Sequence, residues 1–284
     1  MVGNKWTVGS LFSGIGGMDY GLELAGMRVK WQSEIEPYAC RVLSKHWPDV
    51  VNVGDIRDVV WGDEHKVDVV CGGFPCQPFS QAGKKKGLLD ERNLWPEMFR
   101  CIRELQPRYA LMENVVGFIR PGLGGLLGDL AEIGYDAEWQ CIRAGDVGAP
   151  HRRERVWIVA HPHYQRQPQP QGFEPKQWGW ASYSGQSGRG ESMAYANGER
   201  RYGSVSARMA RGQGWLAPER CREVFGGRWG GTERWPAEPD VGRVAYGVPR
   251  RVDRIRGLGN AVVPQVVEAI GRAILRHGMS QEWG

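Results

Sequence analysis

Along the first 160 residues, short apolar runs alternate with stretches whose apolar positions recur at helical spacing. Residues 6–12 read as a strand running into Ser13-Gly14-Ile15-Gly16-Gly17, and 18–25 as a helix with Met18, Leu22 and Ala25 on one stripe, stopped by Gly26. The same reading gives a strand at 29–33, a helix at 37–47 ended by Pro48, a strand at 67–71, a helix at 95–105, a strand at 109–112, a helix at 123–134 and a strand at 156–160. Strand and helix in alternation predict an α/β fold: a largely parallel, doubly wound sheet with ligands at the carboxyl ends of its strands. From His161 the pattern fails, and residues 161–215, rich in Gln, Gly, Ser, Arg and Tyr, read as loops and short strands. Regularity returns at 262–275, where Val262, Val266, Ala269, Ile270, Ala273 and Ile274 mark a helix behind a Gly259-Asn260 turn and Pro264.

Composition narrows the class. A chain of 284 residues, 41% hydrophobic and 24% charged, can bury a sizeable core, which excludes a disordered tail or a miniprotein. It has no apolar run of about 18 residues and no signal-like start, so a soluble, cytoplasmic protein without a membrane partner is expected. The six cysteines stand at irregular intervals without Cys-x-x-Cys or histidines at finger spacing, so reduced thiols and no metal are expected. The net charge of +5 is uneven: residues 151–256 hold 19 Lys and Arg against 10 Asp and Glu, and all but Lys176 of those cations are arginine. A mildly acidic body with an arginine-rich segment suits an enzyme that faces a polyanion, although a basic surface without a partner has the same signature.

Four elements carry candidate chemistry. The turn Phe12-Ser13-Gly14-Ile15-Gly16-Gly17 lies between strand and helix, where backbone approaches a ligand closely or packs tightly. It is not the dinucleotide fingerprint, because Asp19 stands where that pattern has its last glycine. Glu34, ending the second strand, is placed for ribose hydroxyls, and Asp55, in Gly54-Asp55-Ile56, for an exocyclic amine. Second, Gly73-Phe74-Pro75-Cys76-Gln77 puts a thiol among turn residues at the end of an apolar strand, whereas Cys71, inside that strand, reads as a buried small hydrophobe. Third, Glu113-Asn114-Val115 ends another strand with a carboxylate that could meet that thiol. Fourth, in His151-Arg152-Arg153-Glu154-Arg155, Arg153 and Arg155 share one face of an incoming strand; a surface ion-pair run has the same pattern.

In this order, the four elements and the terminal Gly259-Asn260-Ala261-Val262-Val263-Pro264 resemble the DNA cytosine-5 methyltransferases, over about residues 7–160 and 235–276. The stretch from Trp235-Pro236 to Arg254 looks like the form common in bacterial and phage genomes. The resemblance implies a Rossmann-like methyltransferase sheet formed by 1–160 with 235–284, and a small irregular target-recognition region, 161–234, inserted before the C-terminal helix. It implies S-adenosylmethionine as cofactor, with Phe12, Gly14, Gly16, Glu34, Ile35, Asp55, Ile56, Asn260 and Val262 around it.

By the same resemblance Cys76 is the nucleophile, with Pro75 beside it, Glu113 the acid at the base's N3, Asn114 the holder of the surrounding loop, Arg155 the ligand of the base's O2 and Arg153 its support. Duplex DNA with a flipped-out cytosine is the implied substrate. Gln77, Ser80, Lys84, Lys85 and Lys86 form a glycine-flanked loop suited to closing on phosphates, or a solvated charged turn. A cognate restriction endonuclease as partner and a monomeric state complete the expectation. His151 stands where the family usually has glutamine. A tRNA-acting branch of the family has the same architecture, and a DNA-binding protein that has lost catalysis would share the fold. Intact Cys76, Glu113 and Arg155 oppose the latter.

Overall fold

The structure is a computed structural model that describes residues 5–75, 93–163 and 251–281. Cys76, Gln77, Ser80, Lys84, Lys85 and Lys86 lie outside the described residues, as do 164–250, which hold nearly all of the expected target-recognition region.

In chain order the elements are β1 (Thr7–Leu11), α1 (Gly17–Ala25), β2 (Arg28–Ser33), α2 (Pro37–His46), β3 (Val51–Asn52), β4 (Val69–Gly72), α3 (Trp95–Leu105), β5 (Tyr109–Val115), α4 (Gly124–Glu132), β6 (Tyr135–Arg143), β7 (Glu154–Pro162), α5 (Arg251–Asn260) and α6 (Pro264–Gln281). The strands form one sheet in the order β3-β2-β1-β4-β5-β7-β6. The order reverses between β1 and β4, which opens a crevice at their carboxyl ends.

Local chemistry accounts for the helix boundaries. Pro37 opens α2, where its missing N–H costs nothing, and the Glu36 side chain accepts from the Ala39 N–H at 2.8 Å. Helix α1 ends at Gly26, whose φ of 108° lets its N–H reach back to the carbonyls of Leu22 and Glu23. In α3 the buried Trp95, Met98, Cys101, Ile102 and Leu105 make one stripe, and the observed helix has the expected bounds.

Alternation along the strands builds two cores. Val70, Ala110, Met112, Val156 and Ile158 pack with Met98 and Ile102 of α3 and Leu126 and Leu130 of α4. Val69, Cys71, Tyr109, Leu111, Trp157 and Val159 pack on the other face with Met18 and Leu22 of α1 and Val266, Val267, Ile270 and Ile274 of α6. Each such large apolar side chain stabilises the fold by about 1.5–3 kcal/mol relative to exposure. The last helix therefore returns to the sheet beside α1, and Gly21 permits the approach: a Cβ there would lie 2.5 Å from the Val267 Cβ and 2.6 Å from the Pro264 carbonyl oxygen.

Three features differ from the pattern-based expectation. The sheet has two further strands, the short β3 at one edge and β6 at the other, whose apolar residues alternate with polar and charged ones such as Asp136 and Glu138, as suits a half-exposed edge. Strand β7 enters antiparallel between β5 and β6, because a connection of 3-10 helix and bend between Arg143 and Glu154 is too short for a parallel crossover. Gly259 and Asn260 end helix α5 and do not form an isolated turn; the break falls at 261–263, ahead of Pro264.

Candidate active site

Reversal of β7 assembles the site. Glu113 lies near the end of β5 and Arg155 near the start of β7, and antiparallel pairing of Val115 with Arg155 and of Glu113 with Trp157 brings both side chains to one sheet end and one face. Arg155 Nε lies 2.9 Å from Glu113 Oε1. The other carboxylate oxygen faces Gly73, where a Cβ would sit 3.0 Å from it. Gly73 and Phe74 continue β4 toward Pro75 and Cys76, so the carboxylate adjoins the start of the thiol-bearing loop. Asn114 Nδ2 donates to the Phe74 carbonyl at 3.3 Å, while its Oδ1 accepts from the Val115 N–H at 2.9 Å, tying that loop to β5.

Glu113 is only 9% exposed. Burial pushes its pKa up and outweighs the opposing pull of Arg155 and Arg153. Arg153 Nη1 donates to the Gly259 carbonyl at 2.8 Å, joining the start of β7 to the end of α5. Its Nε is buried without a hydrogen-bond partner among the described residues, and burial lowers its pKa. His151 is exposed at the bend before β7.

The second half of the site lies at the carboxyl ends of β1 and β2. Phe12, Gly14 and Gly16 have φ of 54°, 56° and 83°. For the non-glycine Phe12, that left-handed backbone costs about 1–3 kcal/mol and persists only where the surroundings enforce it. Glu34 accepts from the Gly14 N–H at 2.8 Å through one oxygen, and from the Ile35 and Glu36 N–H groups at 2.8 and 2.7 Å through the other. Asn52 supports this loop, accepting from the N–H groups of Glu34 and Gly54 and donating to the Glu34 carbonyl.

Beside Glu34, Ile35 is 59% exposed. Asp55 is engaged by Arg57, whose guanidinium holds its carboxyl below the usual range. Ile56 is a core residue whose carbonyl accepts from Arg100 at 2.7 Å. Val262 packs on Gly17 at the start of α1, and Asn260 is exposed. A cleft of about 310 Å³ behind α2, lined by residues such as Cys40, Trp47 and Asn52, contains none of the expected site residues.

The model of the C-5 cytosine-specific DNA methylase family matches residues 6–186, well over half of the chain. The chain belongs to that family. Among its relatives, the type II methyltransferase M.NgoMIV of Neisseria gonorrhoeae is 35% identical over 181 residues, which are 61% of this chain and 58% of that protein. M.Eco47II of Escherichia coli is 40% identical over 165 residues, 55% of this chain and 40% of that protein. The chain thus spans about half the length of the curated relatives it matches. A crystal structure of a DNMT2 variant from Spodoptera frugiperda is 26% identical and covers 58% of this chain and 52% of that one, at a TM-score of 0.49.

In this member of the family, the seven-stranded sheet is the Rossmann-like methyltransferase fold, and the family implies use of S-adenosylmethionine. The loop chemistry fits such a group. A Cβ on Gly14 would meet nothing closer than the Phe12 carbonyl at 3.9 Å, the Glu34 carboxylate offers acceptors, and Ile35 offers an exposed apolar surface. Among the described residues no cluster of His, Cys, Asp and Glu could hold a metal ion, and no helix is long and apolar enough to cross a membrane.

Motif reading missed Asn52 and a buried polar group of Ser10, Ser13, Asp19 and Gln32. The latter has a signal in the chain: Ser10 and Gln32 interrupt apolar strands, and Asp19 falls next to Met18 at the start of the α1 stripe.

Proposed function

We propose that the protein methylates the C5 carbon of cytosine in a specific duplex DNA sequence, with Cys76 as covalent nucleophile. The observation that carries this reading is the buried Glu113–Arg155 pair beside Gly73, three residues before Cys76, in a chain of the methylase family.

Cytosine C5 is a poor nucleophile, and addition of the Cys76 thiolate to the neighbouring C6 makes it electron-rich. The density pushed into the ring is received at N3, where Glu113 in its protonated form donates; its raised pKa favours that form. Arg155 holds the base's O2. Arg153 fixes the start of β7 against α5, and Asn114 fixes the Phe74 carbonyl beside Pro75. S-adenosylmethionine, when bound, supplies the electrophilic methyl group. Cys76 then leaves as the C5 proton is lost.

Phe12, Gly14 and Gly16 form the wall of the cofactor site, Glu34 takes the ribose hydroxyls, Ile35 and the Ile56 backbone border the adenine, and Asp55 takes its amine. Asn260 and Val262 close the site from the C-terminal segment. The target base is flipped out of the duplex to reach Cys76. Gln77, Ser80, Lys84, Lys85 and Lys86 close on the DNA, and residues 161–234 read the sequence, inserted into a catalytic domain of 1–160 and 235–284. The protein acts as a cytoplasmic monomer in DNA modification, with a cognate restriction endonuclease as its counterpart.

The test is methyl transfer from labelled S-adenosylmethionine to duplex DNA and to tRNA side by side, followed by bisulfite sequencing of DNA from expressing cells. Label on DNA and protected cytosines in one sequence context are expected. Label confined to tRNA, or unprotected cytosines throughout, would overturn the assignment.

A further inference from the structure

Asp19 belongs to the first turn of α1, yet it is fully buried. Its two oxygens accept from Gln32 Nε2 on β2 at 2.7 Å and from Ser10 Oγ on β1 at 3.0 Å. Ser10 Oγ in turn accepts from Ser13 Oγ at 3.0 Å, and the Ser10 carbonyl lies 3.1 Å from the same hydroxyl. No ion pair to Asp19 forms among the described residues. A buried carboxylate without a cation is a poor stabiliser compared with an apolar side chain of the same size, so its value lies in what it holds in place.

What it holds is the turn with three left-handed residues, Phe12, Gly14 and Gly16. From outside, Glu34 fixes that turn at the Gly14 N–H, and the Ser13 N–H donates to the Ser33 carbonyl at 3.2 Å. From inside, the turn is fixed by the chain Ser13–Ser10–Asp19–Gln32, which crosses from the loop through α1 to β2. We propose that Asp19 is a positioning residue for the cofactor loop, acting through the Ser10 and Ser13 hydroxyls and the Gln32 amide. The proposal rests on the reading of residues 12–16 as the loop that binds S-adenosylmethionine.

Protonation supplies a handle. Burial pushes the Asp19 carboxyl up to about 6, against the pull of its two donors. Above that pH the carboxylate accepts both bonds. Below it, one oxygen carries a proton and turns from acceptor into donor, so the Ser10 bond reverses or the Gln32 bond weakens. Ligand binding that needs the ordered turn therefore weakens as pH falls through about 6, by at most tenfold per unit of pH. The ionisable groups that face Asp19 are Glu23 on α1, which pushes its carboxyl up, and Cys71 on β4, whose thiol Asp19 itself pushes up. On α6, which packs on α1, Glu268 is paired with Arg272. Glu34 borders the turn from the loop after β2.

The full chain is titrated with S-adenosylmethionine and, separately, S-adenosylhomocysteine by calorimetry between pH 5 and 8. Affinity of the wild type is expected to fall about five- to tenfold from pH 7.5 to pH 5, and Asp19→Asn to bind with a flat profile. Ser13→Ala, which cuts the chain at its loop end and spares the core, is expected to flatten the profile as well. Far-ultraviolet circular dichroism at each pH verifies that every variant is folded. Binding by the wild type with an unchanged profile in Ser13→Ala and Asp19→Asn would overturn the role of Asp19 alone. Absence of binding by the wild type at every pH would overturn the reading of the loop, and the proposal with it.

Discussion

At the scale of single residues, the site depends on groups whose neighbours set their protonation. Glu113 holds its proton more tightly in the folded chain than in the unfolded one, because burial outweighs the two arginines. Its contribution to stability is therefore most favourable at low pH and is lost as pH rises from the free carboxylate value through the raised folded one. Glu113→Gln removes the titration. It is expected to gain stability relative to the wild type at pH 8 but not at pH 4, measured by urea denaturation at both, and a constant difference would contradict the burial argument. Its methylation rate is expected to fall by about 10²–10⁴-fold, with cofactor affinity within about threefold of wild type. Cys76→Ser is expected to abolish methylation and trapping by 5-fluorocytosine-containing DNA while cofactor binding survives. Covalent trapping that persisted in that variant would remove Cys76 as nucleophile. These residues were visible as motifs because chemistry needs particular side chains at the ends of strands. The Asp19 group was not, since neither Ser10 nor Gln32 has meaning until β1, β2 and α1 are placed side by side.

Among elements, the decisive contacts join distant parts of the chain. Helix α6 reaches α1 only because Gly21 leaves room for Val267 and the Pro264 carbonyl. Gly21→Ala gains up to about 1 kcal/mol of helix propensity but forces a contact tighter than atoms tolerate, for a typical overpacking penalty of about 1–3 kcal/mol. A net loss of about 1–2 kcal/mol is expected in urea denaturation, partly restored in the double variant with Val267→Ala. A more stable single variant would show that α6 is not seated as described. Most helices were legible from spacing, as in α3, because one buried stripe is a local property of the sequence. Strand β6 was not expected: it carries the apolar–polar alternation of a half-exposed edge and lacks the continuous apolar run that marks β4, β5 and β7.

For the whole molecule, charge and topology divide the labour. The arginine-rich segment 151–256 and the lysines after Cys76 carry the positive charge, whereas the remainder is mildly acidic. Replacing Lys84, Lys85 and Lys86 together by alanine is expected to weaken DNA binding and to lower the slope of log affinity against log salt by up to about 3, since each phosphate contact contributes about 0.9. An unchanged slope, measured by fluorescence anisotropy across salt concentrations, would exclude these lysines from the phosphate contacts.

The amino-acid order by itself determined the strand–helix alternation, the glycine turn, the carboxylate near the end of β5 and the thiol that follows β4 in the sequence, because periodicity and motif spacing are local. Only the tertiary structure decided that β7 runs antiparallel between β5 and β6, which turns Arg155 toward Glu113, and that Arg153 holds the end of α5. Strand direction depends on how short the preceding connection is and on which neighbour offers a free edge, and those are properties of the assembled sheet.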